Sequence, residues 1–578
     1  KSLHPFFPLE LVDTIEKDLI IIGSGLAGLR AAIEAARVSK GKISIGVISK
    51  VQVMRSHSVS AEGGTAAVLY EDEGDSLESH IYDTIRGSDF LADQDAVEVL
   101  CKYAPLEIYQ LEHWGMPWSR RKDGRIAQRA FGGYDFPRAT FAGDKVGFFE
   151  MQTLYDTALK FDNIEFYNEW FATSLIIEDG IRGLTAIDIP HGDFYTFKTK
   201  ACIIATGGAG RLYSFSTYGH SSTPDGLDMA YRAKIPLKDM EFVQFHPTGL
   251  VPSGILITEG ARGDGGILIN KEKERFMKRY APKKLDLAPR DIVSRAMITE
   301  IEQGRGFESY GIKHLMLDLT HLGEEKIKQN LAGIREIALK FAGIDPISEP
   351  IPVKPVCHYM MGGIDCDIRG RTLIKGLWVA GEAACISVHG ANRLGANSTS
   401  ECLVWGRITG EEAALYSMKK GYEDLPKEKV LEEEKRIYDG IFRGSGKENP
   451  YEIREEVNKV MDEHCYIFRK EDSLTEGIRK IRELYNRSWK HVDDKDKEYN
   501  TNFINVLELD SMIRIAEAIL VSAYNRRESR GAHYRLDYPY RDDEKYLKHT
   551  LCYYSEDGPK ISYSPVKLIK YKPEVRVY

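Results

Sequence analysis

Three short runs in this sequence put small residues, and one acid, where a phosphate-bearing cofactor would need them. Gly23-Ser24-Gly25-Leu26-Ala27-Gly28 has the spacing GxGxxG. Between a strand and a helix each glycine has a task. Gly23 makes the tight turn, Gly25 lets the backbone approach a pyrophosphate, and Gly28 lets helix and strand pack closely. The N-terminus of the helix favours the phosphate charge. Ala205-Thr206-Gly207-Gly208-Ala209-Gly210 and Gly376-Leu377-Trp378-Val379-Ala380-Gly381-Glu382 each close an apolar stretch with small residues. Glu382 is a candidate acceptor for cofactor hydroxyls. Any one of these runs would also serve as a plain turn. Together they point to a long dinucleotide lying across the carboxyl ends of a sheet. Ser49-Lys50 stands where a plain NAD site has an acid for the ribose hydroxyls, which argues against NAD.

These runs need elements to hold them. Asp18-Leu19-Ile20-Ile21-Ile22 reads as a buried strand, residues 26–38 as an Ala-rich helix and 43–48 as the next strand, a βαβ unit. Residues 200–205 and 376–380 are further buried-strand candidates. From Asp424 onward the texture changes to Lys- and Glu-rich helical stretches at 427–436 and 473–489, whose charges read as solvated faces. Residues 490–502 are polar and read as a linker. The chain then suggests a hairpin: a strand at 551–555, a turn at Glu556-Asp557-Gly558-Pro559 and a strand at 560–563. No internal repeat is visible.

The 578 residues suffice for several domains, and 43% hydrophobic with 29% charged residues is ordinary for a globular chain. A net charge of -8 gives no electrostatic case for nucleic acid. No apolar run approaches the ~18–20 residues that span a bilayer. Residues 1–8 are short of apolar length and broken by prolines, so they do not read as a secretory leader. The expected location is the cytoplasm. None of the eight cysteines forms a CxxC pair, so no metal site, disulfide framework or iron–sulfur cluster is expected within the chain. One-electron carriers would have to sit on another subunit.

Arg55-Ser56-His57-Ser58-Val59-Ser60-Ala61-Glu62-Gly63-Gly64, after the glycine turn, resembles the flavoprotein subunit of the fumarate reductase and succinate dehydrogenase family. The resemblance continues through Trp118–Gly124, Glu241–Gly249, Thr258-Glu259-Gly260-Ala261-Arg262-Gly263, Pro289-Arg290-Asp291, His358–Gly363 and His389–Gly395. It returns in Glu528-Ser529-Arg530-Gly531-Ala532-His533, and so covers most of the chain. It implies an α/β fold: a discontinuous Rossmann-like FAD-binding domain (14–239 and 364–427) with an inserted α+β capping domain (240–363). A helical domain (428–524) and a small C-terminal domain (525–578) would follow.

The resemblance also implies roles. FAD would be covalently linked through His57; a neutral imidazole nitrogen is a competent nucleophile, and the link tends to raise the flavin potential. Cofactor contacts are implied at Gly23, Gly25, Ala27, Gly28, Ser49, Lys50, Ser56, Ser58, Gly63, Gly64, Thr206, Gly207, Asp225, Glu382, Arg393, Asn397 and Ser398. Thr223-Pro224-Asp225-Gly226 departs from the family pattern, which usually has glycine before the acid. His246, Thr258, His358 and Arg393 would hold the two carboxylates of fumarate or succinate, Arg393 being suited to a bidentate clamp. Arg290 would transfer the proton, with Glu259 and Arg262 relaying it. Glu62 stands where fumarate reductases often have Glu and succinate dehydrogenases Gln, a tilt toward fumarate reduction.

The implied partners are an iron–sulfur subunit and, through it, membrane anchor subunits and a quinone. These would place the chain peripherally on the inner face of the cell membrane. Three other readings remain open. L-aspartate oxidase shares much of the scaffold but carries FAD without a covalent link; the RSHSVSAEGG string and the 541–550 stretch favour the respiratory subunit. A soluble thiol-linked fumarate reductase would use the same flavin subunit with other electron partners. A non-catalytic flavin scaffold would be expected to lack Arg290, Arg393 or the histidines, all of which are present.

Overall fold

A computed structural model describes residues 13–578; the reading of residues 1–8 lies outside the described residues. At its centre is a seven-stranded sheet. The strand Asp13–Ile22 runs parallel to Ile45–Ser49 on one side and to Asp193–Ile204 on the other. Ile164–Asn168 extends the first edge, and Leu377–Val379 joins Asp193–Ile204 in parallel near its end. Leu19 to Ile22 are buried, as an unbroken apolar run flanked by two strands must be. The helix Leu26–Ser39 follows the glycine turn and lies beside the Asn397–Lys419 helix.

The structure corrects the expected strands at their polar ends. Asp13–Ile22 begins five residues before the apolar run, because Asp13 to Lys17 pair with Tyr195 to Thr199. Asp193–Ile204 is likewise longer than 200–205. Its first half pairs antiparallel with Ile181–Asp188, which pairs with Trp170–Ile177. Trp170–Ile177, Ile181–Asp188 and the first half of Asp193–Ile204 mix polar with apolar residues and lack the long apolar run by which the other strands were read.

A second sheet is formed by Val243–Leu250, Ile351–Met360, Ile312–Asp318 and Ile267–Ile269, all antiparallel. The helix Arg290–Glu300 is tied to it where the Ser294 hydroxyl donates to the Phe245 carbonyl at 2.8 Å. The chain enters and leaves this stretch through Leu237–Lys238 and Gly363–Asp365. These pair with each other and, through Leu237–Lys238, with the hairpin Lys548–Tyr553 and Lys560–Pro565.

Helices Lys427–Ile437, Pro450–His464, Glu471–Asn486 and Thr501–Asn525 follow. The third stops at 486, short of the expected 489. There the Trp489 indole folds back, fully buried, and donates to the Leu484 carbonyl at 2.8 Å. The last begins inside the expected linker, because the Asn500 side chain accepts the Phe503 N–H at 2.8 Å and caps it. Among the described residues no helix is long and apolar enough to cross a membrane, and no cluster of His, Cys, Asp and Glu is arranged to hold a metal ion.

Candidate active site

A trough begins at the glycine turn. Gly23 has φ +107°, open to glycine but strained for other residues, and a Cβ there would meet the Ala205 carbonyl oxygen at 2.1 Å. A Cβ on Gly28 would meet the Gly23 carbonyl oxygen at 1.9 Å, which is the close packing of turn and helix read from the sequence. The face of Gly25 opens toward the hydroxyls of Ser56 and Ser58. Around it lies a cavity of about 990 Å³. Its lining includes Ala27, Ser49, Lys50, Ser56, His57, Ser58, Thr206, Gly207, Asp225 and Glu382. It is continuous with a second, larger cavity through shared walls at Leu26, His57, Ser58, Tyr218, Glu382 and Cys402.

The donor chemistry of the first cavity fits a dinucleotide. The helix Leu26–Ser39 starts at Gly25, which has no side chain to cap it, and has no acid in its first turn; Leu26 N–H donates to the Ser58 hydroxyl at 3.2 Å, and the positive end of the helix favours an anion. The Ser24 and Thr206 hydroxyls are buried without a partner among the described residues. Lys50 is committed elsewhere: its ammonium binds Asp225 at 2.6 Å, Thr223 at 2.6 Å and Glu508 at 2.8 Å. Asp225 therefore faces a lysine while lining the cavity. Glu382 accepts from the Tyr218 hydroxyl and, at 2.9 Å, from Met360 N–H. Burial pushes its carboxyl up to about 7.

His57 stands at the junction of the two cavities. Its ring stacks on Tyr218 with centroids 4.7 Å apart, and its Nδ1 accepts from Gly219 N–H at 3.4 Å. By that bond the proton of the neutral ring sits on Nε2. Burial, and then the nearby Arg211, pull its pKa down to about 4, so the imidazole is neutral near pH 7.

The second cavity gathers most of the remaining sequence candidates. His246, Thr258, Glu259, Arg290, His358, Arg393 and Ser398 line it, with Gly63, Gly64 and Glu62. Val243–Leu250 and Ile351–Met360 are paired strands, and they bring His246 and His358 to 4.9 Å between ring centroids. His246 Nδ1 accepts Thr248 N–H at 3.1 Å, so its proton sits on Nε2, which has no partner among the described residues. Burial first, and then Arg290, hold both imidazoles well below their usual pKa, so they act as neutral donors. His358 Nδ1 lies 2.8 Å from the Thr217 hydroxyl.

Arg290 donates from Nε to Glu259 at 2.7 Å and from Nη1 to the Gln244 side-chain oxygen at 3.1 Å. Arg393 donates to the same oxygen at 3.3 Å, contacts the Ser398 hydroxyl and lies over the Tyr359 ring. Its Nη2 is buried and unpartnered among the described residues. Burial and the neighbouring Arg290 bring its pKa down to about 10. Burial works to raise Glu259, but Arg290 and Arg262 more than offset it, so Glu259 is an anion. Arg262 lies behind Glu259 at 3.9 Å and does not line the cavity; it donates to the Asp286 carbonyl at 2.5 Å. Arg290 and Arg262 share Glu259, while Arg393 donates only to neutral partners, so this group of side chains keeps a positive charge suited to an anionic substrate.

Besides Arg262, two sequence candidates fall elsewhere. Gly28 packs under the turn rather than facing either cavity. Asn397 turns its side chain away, to His80 at 3.1 Å and Thr84 at 3.1 Å. Sequence reasoning missed Gln244, whose side-chain oxygen holds both arginines, and Tyr218, which backs His57. Gln244 lies in the quoted string Glu241–Gly249, but a neutral amide carries no signal of its role without its partners. Glu62 has a buried, unpartnered oxygen, and burial together with Asp144 raises its pKa well above the usual carboxylate range.

A family model described as an FAD binding domain matches residues 18–399, so the class that fold and trough define is the FAD-binding oxidoreductases. A second model, the fumarate reductase flavoprotein C-terminal region, matches residues 454–578. The chain is 43% identical to a fumarate reductase flavoprotein subunit of Haemophilus influenzae, across 98% of this chain and 97% of that one. It is also 43% identical to a succinate dehydrogenase flavoprotein subunit of Coxiella burnetii, across 95% and 96%. A solved E. coli quinol fumarate reductase chain carrying a mutation superposes with a TM-score of 0.95 at 42% identity, covering 98% of this chain and 99% of that one. The chain belongs to the fumarate reductase and succinate dehydrogenase flavoprotein family.

Proposed function

We propose that the chain interconverts fumarate and succinate, with FAD linked covalently through His57. The observation that carries this reading is the pair Arg290 and Arg393, both donating to Gln244 and both facing His246 and His358 across one cavity. When bound, FAD supplies hydride transfer at its N5. The turn at Gly23 to Gly28, with Thr206, Gly207 and Glu382, would hold it, and the neutral His57 at the junction of the two cavities would carry the link.

The side chains divide the remaining work. Arg393, through its free Nη2, and His246, His358 and Thr258 bind the two carboxylates. Holding both ends twists one carboxylate out of conjugation and polarises the double bond of fumarate. Arg290 delivers the proton to the carbon next to the one that takes hydride. Guanidinium is ordinarily a poor acid, but the developing carbanion is a far stronger base. Glu259, 2.7 Å from Arg290 Nε, then returns a proton to Arg290, with Arg262 behind it. Residues 240–363 act as a cap whose closure excludes water and sets Arg290 in place.

Electrons pass to or from an iron–sulfur partner subunit and on to a quinone through membrane anchors. This puts the chain peripherally on the cytoplasmic face of the cell membrane. The relative named a quinol fumarate reductase supports that assembly. Glu62 favours fumarate reduction as the working direction.

The test is an anaerobic visible spectrum of the purified chain before and after adding succinate. Bleaching of the oxidised flavin band is the expected result. A loaded chain that bleaches with neither succinate nor aspartate, and once chemically reduced is not reoxidised by fumarate, would overturn the reading. Bleaching by aspartate alone would point to aspartate oxidation.

A further inference from the structure

Arg290 and Arg393 sit on different mounts. Arg290 opens the Arg290–Glu300 helix. Its neighbour Asp291 is buried and turned toward Arg576, whose Nη2 lies 2.6 Å from Asp291 Oδ2 and 3.1 Å from Asp89 Oδ2. Asp89 and Phe90 form a backbone corner at φ +54° and +60°. Residues other than glycine keep such angles only when their surroundings hold them there. Here Gly531 N–H and Arg541 bind the Asp89 carboxylate at 2.8 and 2.7 Å, and Arg530 donates to the Asp89 carbonyl at 2.9 Å.

The same corner supports the second mount. Ala391 N–H donates to the Ser88 carbonyl at 3.0 Å, and the Asn392 amide donates to the Gly87 carbonyl at 2.9 Å. Arg393 is the next residue. Arg576 thus joins the helix that carries Arg290 to the corner that braces the loop carrying Arg393. It does so from residues 566–578, an extended segment with its own anchors. The Gln94 side-chain oxygen accepts N–H groups from Ile569, Lys570 and Tyr571, and Arg86 lies 5.0 Å over the buried ring of Tyr578.

We propose that Arg576 is a positioning residue for the fumarate–succinate reaction: by bridging Asp89 and Asp291 it sets the Arg290 mount against the Arg393 mount. This rests on the reading of Arg290 as the proton-transfer group. Asp89 and Asp291 are both buried carboxylates, and Arg576 is the cation that lies between them. Without that cation each keeps one arginine, Arg541 on Asp89 at 2.7 Å and Arg295 on Asp291 at 3.2 Å, but the two buried carboxylates lose the charge between them and repel enough to move the helix end or the corner. Displacements of about 1 Å at a reacting centre cost up to about a hundredfold in rate. Because Arg576 meets neither cavity, its loss acts on the rate of turnover rather than on flavin binding.

The experiment compares Arg576→Ala, Arg576→Gln and Arg576→Lys with Arg290→Ala, in the full chain loaded with FAD. Flavin content is read from absorbance, and kcat and KM from fumarate-dependent oxidation of a reduced dye. The expected result for Arg576→Ala is a kcat lower by about tenfold or more, with KM within about twofold and normal flavin content. Arg576→Lys restores most of the rate, because it returns the shared cation. Arg576→Gln keeps length without charge and behaves as Arg576→Ala does, so it serves if the alanine variant does not fold. Normal kcat in the Ala or Gln variant, a loss matched by flavin loss, or no rescue by Lys would overturn the proposal. If Arg290→Ala turns over normally, the reading of Arg290 falls instead, whatever Arg576 shows.

Discussion

At the scale of single residues, the site works by withholding charge from some groups and concentrating it in others. His246 and His358 are kept neutral by burial and by the arginines beside them, so they donate hydrogen bonds without adding to the positive charge. The fixed cations are guanidiniums, which a dicarboxylate can neutralise in pairs. Arg290→Lys keeps a cation but loses the fork that reaches Glu259 and Gln244 together. We expect Arg290→Lys or Arg290→Ala to lower turnover by about a thousandfold or more while FAD stays bound, read by steady-state rates against the flavin spectrum. Near-normal rates in either variant would remove Arg290 from proton transfer. For His57→Ser the expectation is flavin released by acid precipitation, with succinate oxidation falling more than fumarate reduction. Equal losses in the two directions would count against a potential-raising role for the link.

Single elements set where those residues point. The strand–turn–helix at Asp13–Ile22 and Leu26–Ser39 forms its anion cradle only because turn and helix approach within a distance that excludes a Cβ at position 28. Gly28→Ala should therefore distort the turn before it touches any ligand. The expected outcome is a chain that purifies with little flavin and melts several degrees lower, consistent with roughly 1–3 kcal/mol of overpacking strain. Full flavin content in that variant would show that the cradle tolerates the shift. The paired strands Val243–Leu250 and Ile351–Met360 do similar work for the substrate end, because their register alone puts two distant histidines side by side.

Across the whole molecule, buried ion networks tie the hairpin and the segments around it to the rest. Arg526 binds Glu241 at 2.5 Å and Glu528 at 2.9 Å. His549 bridges Asp239 at 2.6 Å and Asp93 at 3.0 Å. Burial works to lower the His549 pKa, but the two carboxylates more than offset it and push it up to about 9. Its folded pKa thus exceeds the unfolded value of about 6.5. The stabilisation is full below about pH 6.5 and is lost as pH rises through about 9, roughly 3 kcal/mol in all. The melting temperature of the native chain should therefore exceed that of His549→Gln most clearly at pH 6–7. The gap should narrow as pH approaches 9.5; a constant gap would mean that His549 does not carry its charge in the fold.

The sequence by itself determined the cofactor end of this protein. Gly23, Gly25 and Gly28 work through their spacing along one strand and one helix, so their chemistry is local and legible. The family strings carried the proposed substrate residues as well, but as members of a pattern, without saying how they meet. Only the tertiary structure decided that Gln244 joins Arg290 to Arg393, that Asn397 turns away to His80, and that Lys50 is spent on Asp225 and Glu508. The meander from Trp170 to Lys198, up to the strand end read at 200–205, was hidden for a related reason. Its strands mix polar with apolar residues, and their pairing, not a long apolar run, makes them strands. Local geometry is written in residue spacing. Partnerships between residues hundreds of positions apart exist only once burial forces each polar group to find a partner.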